Sequence, residues 1–213
     1  MVSVTRRQAR TAGSTPAAPM EARLLAALER LLESEASFTA LSVERLAREA
    51  GISRATFYLH FRDKSDLIER LLHRVEDEVV AAGGVWFQHA EDASYADLKR
   101  AMHGFMGVYR EHRAILRAAA ETAAYDDDVD SAYKHMLNRF RSESRAAVAR
   151  IAARGRAHAE LPPQLADVLA QAVDHCYVKL GTTLDGRALD ELVEALTWIV
   201  WHAIFTAEAD AGD

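Results

Sequence analysis

Residues 51–61 read Gly51-Ile52-Ser53-Arg54-Ala55-Thr56-Phe57-Tyr58-Leu59-His60-Phe61. Gly51 closes one short helix and supplies a sharp turn. Ser53, two residues on, caps the next helix. That helix carries Arg54, Thr56, Tyr58 and His60 among the apolar Ile52, Phe57 and Phe61. Two phenylalanines bury one side and leave the polar residues outward. Few tasks need such an exposed face on a helix, and reading DNA is the main one. Small Ala47, upstream, lets two helices approach. Ala47, Gly51, Ile52 and Ser53 together make a helix-turn-helix signature, whose second helix enters a major groove.

Working outward, leucines 24, 25, 28, 31 and 32 share one face of a helix predicted from about Met20 to Glu33. A second helix starts after Ser42 and ends at Gly51. A fourth starts near Asp63 or Lys64 and carries Leu67, Ile68, Leu71, Leu72, Val75 and Val79. None of the first three is long enough to be stable alone, so they must pack together. Gly83-Gly84 would cost about 2 kcal/mol relative to alanines inside a helix. The pair is read as a helix end or a close backbone approach, with a flexible joint as the alternative.

Further helices are expected over about Tyr95–Arg110, His112–Ala124, an acidic start at Asp126–Asp130 through Arg154, Gln164–Leu180 and Leu189–Ala207. Pro162-Pro163 separates the third of these from the fourth. The fold class is therefore all-α with about nine helices. A three-helix reading unit comes first and a larger helical bundle follows. Domain bounds are set at 1–19 for a basic arm with Arg6, Arg7 and Arg10, 20–66 for the reading unit and 67–213 for the rest.

The formal net charge is −6 but unevenly spread. Residues 1–72 hold 11 Lys+Arg against 9 Asp+Glu, and residues 73–213 hold 15 against 23. An acidic chain can still read DNA when the contacting end is neutral to basic. Cys176 is the only cysteine, which precludes an internal disulfide and suits a reducing cytoplasm. No apolar run approaches the ~18 residues of a membrane span. The nine histidines form no H-E-x-x-H motif and no zinc-type spacing, and no Gly-rich phosphate loop or G-x-S-x-G occurs. The expectation is a cytoplasmic, non-enzymatic protein with no metal, no cofactor and no membrane partner.

The run from Gly51 through Phe61, continued by Arg62-Asp63-Lys64-Ser65-Asp66-Leu67, resembles the recognition region of the tetracycline-repressor (TetR) family, and among its members the EthR type. The resemblance implies roles at individual positions. Arg54 and Thr56 would meet base edges, Tyr58 and His60 would grip phosphates, Lys64 would hold a phosphate at the next helix's N-terminus, and Ser53 would cap and touch phosphate. It also implies a homodimer on an inverted-repeat operator, a ligand cavity in the middle helices and a dimer bundle from the last two. The natural function is then a repressor released by a small hydrophobic ligand.

Phe105, Met106, Tyr109, Leu116, Tyr133, Met136, Leu137 and Phe140 are compatible with that cavity, with Gly104 and Gly107 leaving space beside them. Val173, Tyr177, Leu196, Ile199 and Val200 are the residues expected at the dimer interface. Asp174-His175 reads as a surface or interface pair, with binding of a polar ligand group as the alternative. Two other readings stay open: a DNA-binding regulator with a packed, unresponsive C-terminal half, and a small-molecule-binding enzyme.

Overall fold

Helical periodicity and capping produce an array of ten α-helices in the computed structural model, which describes residues 19–34, 37–181 and 183–206. The expected arm, apart from Pro19, lies outside the described residues. Helix α1 (Met20–Ser34) buries Leu24, Leu25, Leu28, Leu31 and Leu32, the predicted leucine face. Helix α2 (Val43–Glu49) is capped by Ser42, whose hydroxyl accepts from the Arg45 N–H at 3.2 Å. Helix α3 (Arg54–His60) follows, and α4 (Lys64–Ala82) is capped by Asp63. Leu67, Ile68, Leu71, Leu72, Val75 and Val79 of α4 are buried in one continuous core that also takes in the buried residues of α1–α3. Helix α4 therefore belongs to both halves, packing on α6, α7 and α8.

The glycine pair after α4 ends that helix. Gly84 is left-handed at φ +47°, and a Cβ on Gly83 would run into the Phe87 ring. Both halves of the first reading, helix end and close approach, are met. The five-residue α5 (Gly84–Gln88) that follows was not predicted. Five residues carry too little periodicity to be seen in sequence, yet α5 delivers Trp86 and Phe87 to the core.

Helices α6 (Tyr95–Glu111), α7 (Arg113–Thr122) and α8 (Asp127–Ala153) agree with expectation to within a few residues. The α6 start is a full capping box between Ser94 and Asp97. Asp126 caps α8 through the Val129 N–H at 3.1 Å, and Asp127, Asp128 and Asp130 lie in its first turn, where the helix dipole favours negative charge. Helix α9 (Leu165–Cys176) does not run on to Leu180 as an α-helix. Its last turn, Tyr177–Gly181, widens into a π-helix. A Cβ on Gly181 would run into Met106, so this turn closes tightly on α6. Helix α10 (Gly186–Ile204) ends the described chain, and an isolated antiparallel bridge joins Ala157 to Phe205. No described helix is long and apolar enough to cross a membrane.

Candidate nucleic-acid interface and ligand cavity

The turn between α2 and α3 is built by the last residues of α2. Gly51 takes φ +68°, its N–H donates to Arg48 O at 3.1 Å, and the Ile52 N–H donates to Ala47 O at 2.9 Å. This paired closure needs a left-handed residue, which glycine adopts at least cost. Arg23 of α1, which the sequence reading missed, completes the turn. Its guanidinium donates to the carbonyls of Ala50 and Gly51 at 2.8 and 2.7 Å. No local pattern could have shown that contact, because its partners lie 27 and 28 residues away.

Ser53 then caps α3, its hydroxyl accepting from the Thr56 N–H at 2.9 Å and meeting the Thr56 hydroxyl at 2.8 Å. Phe57 is fully buried, with Phe61 against it at 5.2 Å between ring centroids. Those anchors turn Ser53, Arg54, Tyr58 and His60 to the surface and leave Thr56 half-buried. The Arg54 guanidinium stands 5.5 Å from the Tyr58 ring centroid, a cation–π contact that restricts both side chains on the outer face. Leu59, 82 % exposed, shares that face and was not singled out in the sequence. An isolated exposed leucine on a reading helix has the chemistry to meet a thymine methyl. At the C-terminal end, buried Asp66 accepts from the Arg62 N–H at 2.9 Å and from Arg70 at 3.2 Å. Burial raises its pKa, but those donors outweigh burial and hold it below the ordinary carboxylate value.

Lys64 departs from the expected role. Its ammonium donates to three carbonyls of the loop between α1 and α2: Phe38 at 3.2 Å, Thr39 at 3.2 Å and Leu41 at 2.6 Å. Nζ also lies 4.9 Å from the Phe38 ring centroid. An ammonium has three donors, so none is left for a phosphate in this arrangement. Glu121 of α7 holds the same loop from the other side, accepting from the Phe38 N–H at 2.9 Å and the Ser37 hydroxyl at 3.0 Å.

A cavity of about 710 Å³ lies between α1, α6, α7, α8 and the π-turn. Of the eight residues expected around it, Tyr109, Leu116 and Tyr133 do line it. The others do not. Phe105 and Phe140 meet the Phe87 ring at 5.4 and 5.8 Å between centroids and each other edge-to-face at 5.2 Å, so they fill the core. Met106 packs on Gly181, and Met136 and Leu137 join the general core. Gly104 brings α6 against Ala82 at the end of α4, and Gly107 faces open space. The cavity wall includes Glu29 and Leu32 of α1 and Arg117 and Glu121 of α7, none of which was predicted. It touches the reading unit directly.

Behind the cavity, Asp174 is buried, not at the surface as expected. It accepts from the Tyr109 hydroxyl at 2.5 Å. Burial pushes the Asp174 carboxyl up and outweighs that hydrogen bond. Burial and then the Asp174 charge push Tyr133 up to about 12.

The expected dimer residues also need correction. Val173, Tyr177, Leu196 and Val200 are buried inside the protomer, and Tyr177 donates its hydroxyl to Met102 O at 2.9 Å. Only Ile199 of that set is exposed. Beside it on α10 lies exposed Trp198, stacked on His202 at 4.4 Å, and Val168 is exposed on α9. Each helix is apolar on two sides, and one side is spent on its own core.

Comparison with known proteins adds to this geometry. The family model for bacterial regulatory proteins of the tetR family matches residues 24–71, and that for the C-terminal domain of the transcriptional regulator EthR matches residues 98–206. The HTH-type transcriptional regulator EthR of Mycolicibacterium smegmatis is 28% identical over 206 residues, covering 94% of this chain and 91% of that protein. EthR of Mycobacterium tuberculosis is 29% identical over 158 residues, covering 74% and 71%. Among solved structures, Salmonella enterica GusR superposes with a TM-score of 0.68 at 14% identity, covering 89% of this chain and 97% of that one. The TetR-family regulator PfmR from Thermus thermophilus gives 0.63 at 19% identity, covering 84% and 96%. At such identities the structural likeness speaks for the fold.

Proposed function

Because the chain belongs to the TetR family of DNA-binding transcriptional regulators, with an EthR-type C-terminal domain, we propose that it is a homodimeric repressor released from its operator by a small ligand. Residues 20–66 form the reading unit and 67–213 the ligand and dimer part. The observation that carries this reading is the 710 Å³ cavity whose wall is shared by α1 of the reading unit and α6–α8 of the rest.

On DNA, α3 lies in the major groove. Arg54 donates bidentately to a guanine, Leu59 and Thr56 contact bases beside it, and Tyr58, His60 and Ser53 hold backbone phosphates. Lys64 positions the α1–α2 loop instead of binding phosphate. Two such units read an inverted repeat with half-sites about 34–36 Å apart. The exposed stripes of α9 and α10, with Val168, Trp198 and Ile199, supply the two-fold interface.

Release follows from the cavity's position. Glu121 lines it and also grips Ser37 and Phe38 of the reading unit. A ligand that moves α7 or α1 therefore shifts the reading helix relative to its partner, as would a tilt of α4. Ligand and DNA then lower each other's affinity by the same factor. The cavity favours this reading over a packed, unresponsive C-terminal half. Anisotropy titration of duplex DNA from upstream of the gene, against random duplex at physiological salt, tests it. Equal affinity for the two would overturn it.

A further inference from the structure

Three carboxylates are buried among the described residues: Asp66, Glu76 and Asp174. Asp66 is answered by Arg70 and Glu76 by Arg139. Asp174 has no ion pair; its hydrogen bond comes from the neutral Tyr109 hydroxyl. Arg141 and His175 favour its charged form from a distance, and burial outweighs them. The Arg141 guanidinium is itself directed to Gln171 and Asn138. A buried carboxylate without a counter-charge is costly, and an incoming cation would relieve that cost. An ionisable group so placed beside a cavity marks a site.

Asp174 stands directly behind the cavity wall. Its hydrogen-bond partner Tyr109 lines the cavity, as does Tyr133, whose hydroxyl feels the Asp174 charge. Val178, one turn along from Asp174, lines it too. Two tyrosines backed by a buried carboxylate make a desolvated wall that an organic cation would suit. The rim does not set the sign, since Glu29, Glu111 and Glu121 balance Arg113, Arg117 and Lys179 there.

We infer that the cavity takes a ligand bearing a positively charged nitrogen, held at the Tyr109 and Tyr133 rings with Asp174 as its counter-ion and with an apolar body along Leu32 and Leu116. This rests on the cavity being the ligand site proposed above. It narrows the ligand class from any small hydrophobic molecule to amphiphilic amines and quaternary ammonium ions.

The test compares three probes with one tail: octylammonium, octanol and octanoate, each below its micellar concentration, by calorimetric titration of the full-length protein. Octylammonium should bind roughly tenfold or more tighter than octanol, the ratio expected for an ammonium attracted by a carboxylate through one layer of side chains at intermediate dielectric. Octanoate should be weakest. Asp174→Asn keeps an acceptor for Tyr109 and should bring octylammonium level with octanol while leaving octanol unchanged. Tyr133→Leu, a change at the wall, should weaken octylammonium more than octanol, and it serves if Asp174→Asn does not fold. Equal binding of octylammonium and octanol, tighter binding of octanoate, no binding of any probe, or a preference that survives both substitutions would overturn the inference. Operator binding by the same preparation is read separately. If it persists while charge preference is absent, only the inference falls; if it is absent, the regulator reading falls.

Discussion

Lys64→Met separates two roles that would otherwise both look like lost repression. Methionine keeps most of the buried stem and removes the donors. In the wild type the Leu41 carbonyl accepts at 2.6 Å, a strong charge-assisted bond worth about 1.5 kcal/mol net. The two 3.2 Å bonds to Phe38 and Thr39 are longer and partly wet, so each adds roughly 0.5 kcal/mol. Against this stands the cost of burying the ammonium, which already pushes its pKa below the ordinary lysine value. The balance is a loss of about 2 kcal/mol, or a fall of roughly 4–8 °C in melting temperature for a chain of this size.

Thermal unfolding and operator anisotropy at several salt concentrations read the two outcomes independently. A loop-pinning role predicts lower stability, weaker DNA binding because the reading unit must be ordered first, and an unchanged salt slope. A phosphate contact predicts the reverse: unchanged stability, and a slope in log K against log salt that falls by about one. Unchanged melting with a shallower slope would refute the loop-pinning role of Lys64.

Further substitutions test the faces assigned to α3 and α10. Arg54→Ala should weaken operator binding by roughly 1–3 kcal/mol and relax preference at one base pair per half-site; an equal loss on every sequence would make Arg54 a phosphate contact. Trp198→Asp or Ile199→Asp should give a folded monomer in sedimentation, because both side chains are exposed in the protomer, whereas Leu196→Asp, which is buried, should lose the fold as well. A dimer from both exposed-site variants would place the interface elsewhere.

The reading helix was legible because every local signal agreed. Ser42, Gly51 and Ser53 punctuate it, and Phe57 and Phe61 mark its inner side within a few residues of the polar side. Longer reach defeated the sequence. Lys64 finds its partners 23 to 26 residues away, and its charge alone reads equally well as a DNA contact. Helices α9 and α10 are apolar on two sides, so periodicity showed that they were sticky but not which stripe met their own core. Val173, Tyr177, Leu196 and Val200 went inward, and Val168, Trp198 and Ile199 outward. The cavity was hardest. Phe105 and Tyr109 sit one turn apart on α6 with similar bulk, yet one packs on Phe87 and Phe140 and the other lines the void. A void is a failure of packing among four helices, and no single segment encodes it.

The contact between α4 and α8 is held by a charge cluster whose pH response can be worked out. Glu76 of α4 is almost wholly buried and accepts from Arg139 of α8 at 2.9 Å and from His135 of α8 at 3.1 Å. His73, a turn away on α4, lies 3.7 Å from the same carboxylate, and Asp77 shares Arg139 at 2.8 Å. Burial raises the Glu76 pKa, but Arg139 and His135 outweigh it, so the folded value lies below the ordinary one. A carboxyl depressed in this way stabilises the fold fully above the ordinary glutamate value and loses that contribution as pH falls through the folded value. Arg139 and His135 are substantially exposed, which discounts the cluster to about 1–2 kcal/mol. Glu76→Gln should therefore be less stable than wild type by that amount at pH 7. The gap in urea unfolding should close as pH falls below the ordinary glutamate value and through the lower folded one, where wild-type Glu76 takes up its proton. Comparing the two proteins at each pH cancels the titration of Asp66, Glu78 and the other carboxylates. A gap that stayed constant from pH 7 to pH 3 would mean that Glu76 holds α4 to α8 by shape and neutral hydrogen bonding, and that the ion pairs contribute nothing to the joint.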